Sequence, residues 1–153
     1  MFCVRAEGAY FFPMRLIDVP AADLQRLEEA AAELAPALRP GDAVALQGDL
    51  GAGKTTFVRA LVRALGGGDE ATSPTFTFWH RYATTPPVNH LDLYRIEQPG
   101  ELADLGLEEA FDPASVTLVE WPERAPHLLP AGSVWVRIEG AGAAPRSIAA
   151  ERR

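Results

Sequence analysis

Length, composition and charge already exclude several classes of protein. The chain has 153 residues, 48% of them hydrophobic and 23% charged, which is typical of one folded domain with a sizeable core. No apolar run approaches the roughly 20 residues of a membrane-spanning helix, and the single cysteine, Cys3, fits a reducing, cytoplasmic location. The net charge of −7 argues against broad nucleic-acid binding, although solubility alone explains such a charge.

The first 13 residues differ from the rest of the chain. They show no sustained periodicity and lack the apolar central region of a signal peptide. Met14 then precedes a short apolar strand at Arg15–Asp18. We predict that residues 1–13 are a poorly ordered extension or a misassigned start, and that residues 14–153 form a single domain.

A helix is predicted from Ala21 to Ala35, where Pro36 ends it. Its apolar stripe lies opposite an acidic face, and core packing explains the stripe better than a partner site does. The stripe consists of Leu24, Leu27, Ala31, Leu34 and Leu38.

The next segment carries the clearest chemistry. Residues 48–55 fit the phosphate-binding template G-x-x-x-x-G-K-[ST], between an apolar strand at 43–46 and a helical pattern that ends at Gly66. In this template backbone N–H groups cradle phosphates, the lysine reaches the outer phosphates, and the hydroxyl joins the shell of a Mg²⁺ ion. Lys54 is the only lysine among 14 basic residues, which a simple glycine-rich turn does not explain. The loop residues are Gly48, Asp49, Leu50, Gly51, Ala52, Gly53, Lys54, Thr55 and the adjoining Thr56.

Two later segments have alternative interpretations. Residues 72–79 form a hydroxyl-rich loop entering a strand, in which Thr75 is either ordinary turn chemistry or part of a switch loop near a phosphate. Residues 88–94 alternate like a strand and place His90, Asp92 and Tyr94 on one face. That face is either a solvated edge or the wall of an active site. The three histidines lack the clustered spacing of a zinc site.

Further along, two short helical pieces at 101–105 and 107–111 are predicted to turn Leu102, Leu105, Leu107 and Phe111 inward. An apolar strand at 116–121 then carries Glu120 at its carboxyl end, where nucleotide hydrolases place an acid beside Mg²⁺. Strands at 134–139 and 147–149 complete the predicted elements.

Five sequence blocks, taken together, closely resemble the TsaE family, small bacterial ATPases needed to make threonylcarbamoyladenosine in tRNA. The resemblance covers roughly residues 15–139, and the later blocks are more discriminating than the phosphate loop. The blocks are 48–57, Ser73-Pro74-Thr75-Phe76-Thr77, His90-Leu91-Asp92-Leu93-Tyr94-Arg95, Leu105-Gly106-Leu107-Glu108-Glu109 and Glu120-Trp121-Pro122-Glu123-Arg124.

The resemblance implies an α/β fold, a P-loop NTPase-like three-layer sandwich whose central sheet mixes parallel and antiparallel strands. It implies Mg-ATP as ligand and TsaD-like and TsaB-like proteins as partners, with tRNA contacted indirectly. Lys54 would then bind phosphates, Thr55 and Glu120 would hold Mg²⁺, and Asp92 would lie at the catalytic centre. Thr75 would belong to a switch-like loop and Trp121 would lie beside the site. Residues 18–22 and Arg146 are candidates for contacts with the base.

Two other functions remain open beside a partner-accelerated ATP hydrolase. One is an ATP-gated protein-binding module in which hydrolysis is incidental. The other is a small-molecule kinase, which is weaker because no inserted lid is visible in the sequence. A GTPase of the familiar switch type is excluded, since its Asn-Lys-x-Asp motif needs a second lysine.

Overall fold

The computed structural model describes residues 13–68, 71, 74 and 76–153. The predicted extension lies outside these residues except for Pro13, and Thr75 also lies outside them. The described part contains seven strands, three α-helices and four short 3₁₀ turns. The strands are β1 Met14–Ala22, β2 Ala43–Gln47, β3 Trp79–Tyr82, β4 Val88–Asp92, β5 Val116–Glu120, β6 Val134–Glu139 and β7 Arg146–Arg152. The helices are α1 Leu24–Leu34, α2 Lys54–Ala64 and α3 Glu101–Leu105, and the 3₁₀ turns are Ala35–Ala37, Leu107–Ala110, Pro122–Arg124 and Pro126–Leu128.

The strands form one mixed sheet in the order β1-β7-β6-β2-β5-β4-β3. The four central strands β6, β2, β5 and β4 are parallel, while β1, β7 and β3 add to the two sides in antiparallel pairs. Strands β2, β4 and β5 read as continuous apolar or buried runs because both faces of the sheet are covered. The predicted mixed sheet is therefore confirmed.

Two layers of helices cover the sheet. On one face α1 and α2 pack against the larger core, where Leu27 and Phe57 meet strand residues such as Leu46 and Leu118. On the other face α3 and the turn after it close a smaller core around Leu91 and Val119. The arrangement is the three-layer α/β sandwich expected from the sequence. None of the described helices has the length and apolarity needed to span a membrane.

Two predicted element boundaries are wrong. Strand β1 continues to Ala22 because it pairs with β7 as far as Arg146. Helix α1 therefore starts at Leu24, with the Asp23 side chain accepting a hydrogen bond from the Arg26 N–H at 2.8 Å. Leu24 consequently lies outside the buried stripe and is 52% exposed.

Two predictions around the second core also need correction. Leu105 is 43% exposed rather than turned inward, because the helix ends directly after it at Gly106, whose φ is 65°. Strand β4 stops at Asp92, so Tyr94 does not continue the strand face. All five β4 residues are buried between β3 and β5, which excludes the solvated-edge alternative for His90 and Asp92.

Candidate nucleotide site

The predicted phosphate loop connects β2 to α2 at the carboxyl end of the central strands. A Cβ at Gly48 would lie 2.7 Å from the carbonyl oxygen of Ile138 on the neighbouring strand β6, too close for any other residue. Gly53 has a φ of 113°, a left-handed conformation that favours glycine. These two glycines let the loop turn tightly between the sheet and the helix.

The first turn of α2 presents backbone donors that have no partner within the helix. Among the residues that the structure describes, no side chain caps this helix, and its N-cap is Gly53. The N–H groups of the first residues in a helix have no partner within the helix. The helix dipole adds partial positive charge at the same end. The loop and the start of α2 therefore provide a site for an anion such as a phosphate.

Lys54, the sole lysine, is held against the loop. Its side chain is buried, and its ammonium donates hydrogen bonds to the carbonyl oxygens of Gly48 and Asp49. The same Nζ atom lies 4.2 Å from the ring centroid of Trp121, a cation–π contact. The group is thus fixed beside the anion site rather than free in solvent.

Burial lowers the pKa of Lys54 from its usual value, and nearby carboxylates oppose that shift. In order of effect, these are the carboxylates of Glu120, Glu123, Asp92 and Asp49. A bound polyphosphate would add negative charge at the same place and would further favour the charged ammonium.

The two predicted acids meet at the ends of neighbouring strands. Asp92 ends β4 and Glu120 ends β5, and the two residues are directly paired in the parallel register. Both are buried, and Asp92 Oδ1 accepts a hydrogen bond from the Tyr94 N–H at 2.9 Å. The register therefore brings both carboxyl groups to one edge of the sheet beside the phosphate loop.

His90 holds Glu120 from within the sheet. The side chain is fully buried, and its Nε2 lies 2.9 Å from Oε1 of Glu120. Towards an ionised carboxylate, which can only accept, Nε2 would be the donor of this hydrogen bond. Within the described part of the chain, Nδ1 of His90 has no hydrogen-bond partner. The one hydrogen bond of the His90 ring among the described residues therefore positions an oxygen of Glu120.

Trp121 follows Glu120 in a left-handed conformation with φ 57°, which is rare for a bulky residue. Its ring lies against that of Tyr94, with centroids 5.0 Å apart. Strained backbone of this kind persists where the surroundings hold it and is concentrated at functional sites. In this structure the left-handed conformation of Trp121 accompanies the placement of its indole ring against the Lys54 ammonium.

These groups surround a cavity of about 480 Å³. Of the predicted site residues, Leu50, Gly51, Gly53, Lys54, Thr55, Thr56, Asp92, Glu120 and Trp121 line it. Ala52 is buried within the loop, and Gly48 and Asp49 border an adjacent cavity of about 440 Å³. Of the base-contact candidates, Arg146 lines the main cavity, whereas residues 18–22 of β1 do not.

Two further residues line the cavity: Leu24, which was not expected there, and Tyr94, for which the wall of an active site was one of two open alternatives. Leu24 was expected in the core, and Tyr94 was expected on a strand face. For Leu24 the helix was predicted to start too early, at Ala21, whereas for Tyr94 the strand pattern was extended past Asp92. In the structure both side chains lie at or beyond an element boundary and are partly exposed, 52% for Leu24 and 41% for Tyr94.

The residues around the cavity fit a magnesium ion bound together with a nucleotide. Thr55 offers a hydroxyl and Glu120 a carboxylate, both hard oxygen ligands of the kind Mg²⁺ prefers. Among the described residues there is no cluster of three or more His, Cys, Asp or Glu side chains suited to a metal. Magnesium in phosphoryl-transfer sites usually needs only one or two protein ligands, because phosphates and water supply the others.

Comparisons with known proteins identify the family of this chain. The family model described as "Threonylcarbamoyl adenosine biosynthesis protein TsaE" matches residues 21–148. The tRNA threonylcarbamoyladenosine biosynthesis protein TsaE of Bacillus subtilis (strain 168) is 42% identical over 122 residues, covering 78% of this chain and 76% of the relative. The protein of the same name from Synechocystis sp. is 43% identical over 111 residues, covering 69% and 70%.

A solved structure is similar over most of its length. The crystal structure of Bacillus subtilis YdiB superposes with a TM-score of 0.73 at 30% sequence identity, covering 92% of this chain and 87% of that one. The family match spans the phosphate loop and both acidic strands. The chain therefore belongs to the TsaE family.

Proposed function

We propose that this protein is a magnesium-dependent ATPase that supports the formation of threonylcarbamoyladenosine in tRNA. The observation that carries the ATPase proposal is that Lys54 and Thr55 line the same cavity as the paired acids Asp92 and Glu120. The role in tRNA modification rests on the family and on the names of the relatives.

Each side chain has a distinct part in this proposal. Lys54 and the N–H groups at the start of α2 bind and orient the phosphates. Thr55 and Glu120 hold magnesium, which neutralises charge on the phosphates when bound. Asp92, beside Glu120, orients the attacking water. Phosphoryl transfer of this type needs positioning and charge stabilisation more than covalent chemistry, so these groups suffice.

Hydrolysis by the protein alone should be slow. Arg146 is the only arginine among the described residues that line the cavity, and its guanidinium donates to backbone carbonyl oxygens of the loop. It is therefore not available to stabilise charge on the transferred phosphoryl group in the manner of an arginine finger. We propose that partners, TsaD-like and TsaB-like proteins, accelerate turnover in the cytoplasm and that contact with tRNA runs through them.

Reconstitution tests the proposal. The protein is added with Mg-ATP to the other threonylcarbamoyl-transfer components, and the modified tRNA formed per complex is counted. The expected result is multiple turnovers only with this protein and ATP. Modification that does not depend on this protein would refute the pathway role.

Substitution Glu120→Ala separates the ATPase from an ATP-gated binding module. For each protein, ATP binding, ATP hydrolysis and tRNA modification are measured together. An ATPase that resets the complex should lose hydrolysis and multiple-turnover modification while still binding nucleotide. If modification continues with hydrolysis abolished, ATP acts only as a gate.

A further inference from the structure

Arg146 makes an unusual set of contacts. It is the first residue of β7, its side chain is buried, and its Nε atom donates a hydrogen bond to the Ala52 carbonyl oxygen at 2.6 Å. One terminal nitrogen, Nη2, lies 3.3 Å from the Gly51 carbonyl oxygen and 3.4 Å from that of Gly142. One guanidinium thus joins two consecutive carbonyls of the phosphate loop to the loop between β6 and β7.

These contacts determine how the loop is oriented. The C=O and N–H groups of a trans peptide point in opposite directions, and the peptide between Ala52 and Gly53 is trans. A carbonyl of Ala52 fixed on Arg146 therefore directs the Gly53 N–H away from the guanidinium. That N–H belongs to the donors at the start of α2, a helix that no side chain caps in the described part of the chain.

We propose that Arg146 is a positioning residue that braces the phosphate loop through its carbonyl oxygens, so that the loop N–H groups are held ready for phosphate. The inference deepens the proposed ATPase function and rests on it. It differs from a contact with the base, because the observed hydrogen bonds all go to backbone oxygens of the protein.

The chain offers a matched control on the same strand. Arg152, near the other end of β7, also bonds a backbone carbonyl, that of Gly132 at 2.9 Å, and pairs with Asp42. It does not line the cavity. Replacing either arginine removes a hydrogen-bonded guanidinium from β7, but only Arg146 contacts the phosphate loop.

The first test follows the loop without any nucleotide. Hydrogen–deuterium exchange of a peptide covering residues 48–57 is compared between the wild type, Arg146→Met and Arg152→Met. We expect exchange in this peptide to rise by about tenfold in Arg146→Met alone, because local opening becomes easier there. Unchanged exchange in Arg146→Met, or an equal rise in both variants, would overturn the brace.

The second test measures binding of Mg-ADP, Mg-ATP and Mg-GTP by calorimetry. Arg146→Met removes charge-assisted hydrogen bonds that hold the phosphate loop. Because such bonds are strong, the affinity for ADP and ATP should fall by about ten- to a hundredfold. Arg146→Lys keeps the positive charge but not the several N–H donors of the guanidinium, so its nucleotide affinity should lie between those of Arg146→Met and the wild type. Arg152→Met should bind like the wild type. The ratio of ATP to GTP affinity should not change.

The outcomes separate this inference from the ATPase proposal. A wild-type protein that binds no nucleotide refutes the ATPase, and the exchange experiment still decides the brace. A change in the ATP-to-GTP ratio in Arg146→Met would show that Arg146 reads the base and would overturn the inference. Wild-type nucleotide affinity in Arg146→Met with a lowered melting temperature would also overturn it, because the contact would then be only structural.

Discussion

At the scale of single residues, the site depends on side chains that are held by others. Glu120 is paired with the buried His90, Lys54 rests against two loop carbonyls, and Trp121 covers the Lys54 ammonium. Groups fixed in this way lose little freedom when a ligand arrives, which favours tight and well-oriented binding.

We predict that His90→Leu lowers both stability and turnover. The substitution leaves the buried Glu120 carboxylate without its 2.9 Å partner, which should cost about 1–3 kcal/mol in the free energy of unfolding. Loss of a residue that orients a metal ligand typically lowers activity by about ten- to a hundredfold. Urea unfolding and Mg-ATP hydrolysis measure the two effects.

The variant His90→Gln serves as the control, since its amide N–H can replace the Nε2–H donor. It should recover most of the turnover. If His90→Leu unfolds more easily yet hydrolyses ATP like the wild type, His90 contributes to stability alone.

A second residue-scale prediction concerns Gly48→Ala. Its Cβ would lie 2.7 Å from the Ile138 carbonyl oxygen and 3.1 Å from the Ala52 Cβ, so the loop must shift away from β6. Overpacking of this kind typically costs about 1–3 kcal/mol, and ADP affinity should fall by at least about tenfold. Thermal unfolding and calorimetry measure both quantities.

Gly100→Ala is the matched control for Gly48→Ala. No atom lies within 4 Å of a Cβ at Gly100, and its φ of −65° suits any residue. Its stability should stay within about 0.5 kcal/mol of the wild type. Wild-type ADP affinity in Gly48→Ala would contradict the close approach of the loop to β6.

At the scale of elements, ion pairs join segments far apart in the chain. Arg152 in β7 pairs with Asp42 in the turn before β2 at 2.9 Å. Burial alone would raise the pKa of Asp42, but hydrogen bonds from Arg152 and from the Arg39 N–H, together with the Arg152 charge, outweigh it and hold that pKa below its usual value. The carboxylate form therefore stabilises the fold.

We predict a pH-dependent loss of stability in Asp42→Asn. Because the pKa of Asp42 is lower in the folded state, its contribution is present above the unfolded-state value of about 3.9 and disappears as the pH falls through the folded value. At pH 7 the variant should be less stable by about 1–2 kcal/mol. Chemical denaturation from pH 7 to pH 2.5 measures the difference, which should shrink in acid. A stability difference between Asp42→Asn and the wild type that stays constant with pH would contradict the stabilising role of the Asp42 charge.

Features encoded by neighbouring residues were predictable from the sequence, whereas features set by contacts between distant elements were not. The phosphate loop was predictable because its chemistry is contained in eight consecutive residues. Glu120 was predicted at the end of an apolar strand and Asp92 on one face of another, and the parallel pairing of β4 with β5 brings the two acids together. The start of α1 was not predictable, because Val19 to Ala22 form a strand only through pairing with β7, more than a hundred residues away. The Arg146 contact with Ala52, across 94 residues, leaves no local signal either.

At the scale of the whole molecule, the sheet combines parallel and antiparallel strand pairing. The parallel strands β2, β5 and β4 carry the site residues at their carboxyl ends, where ligands bind in open α/β sheets. Strand β7 pairs antiparallel with β6, the neighbour of β2, and brings Arg146 into contact with the loop. Site and scaffold therefore depend on the same late segment of the chain.

The position of Arg146 has a consequence for how the protein is made. A ribosome synthesises the phosphate loop well before β7, since 94 residues separate Ala52 from Arg146, and β1 also waits for β7 as its partner. A nascent chain stalled before residue 133 should thus expose a phosphate loop that ATP does not protect from protease, whereas the released chain should gain that protection. The competence to bind nucleotide would then arise only after β7 has been synthesised and has paired with β1 and β6.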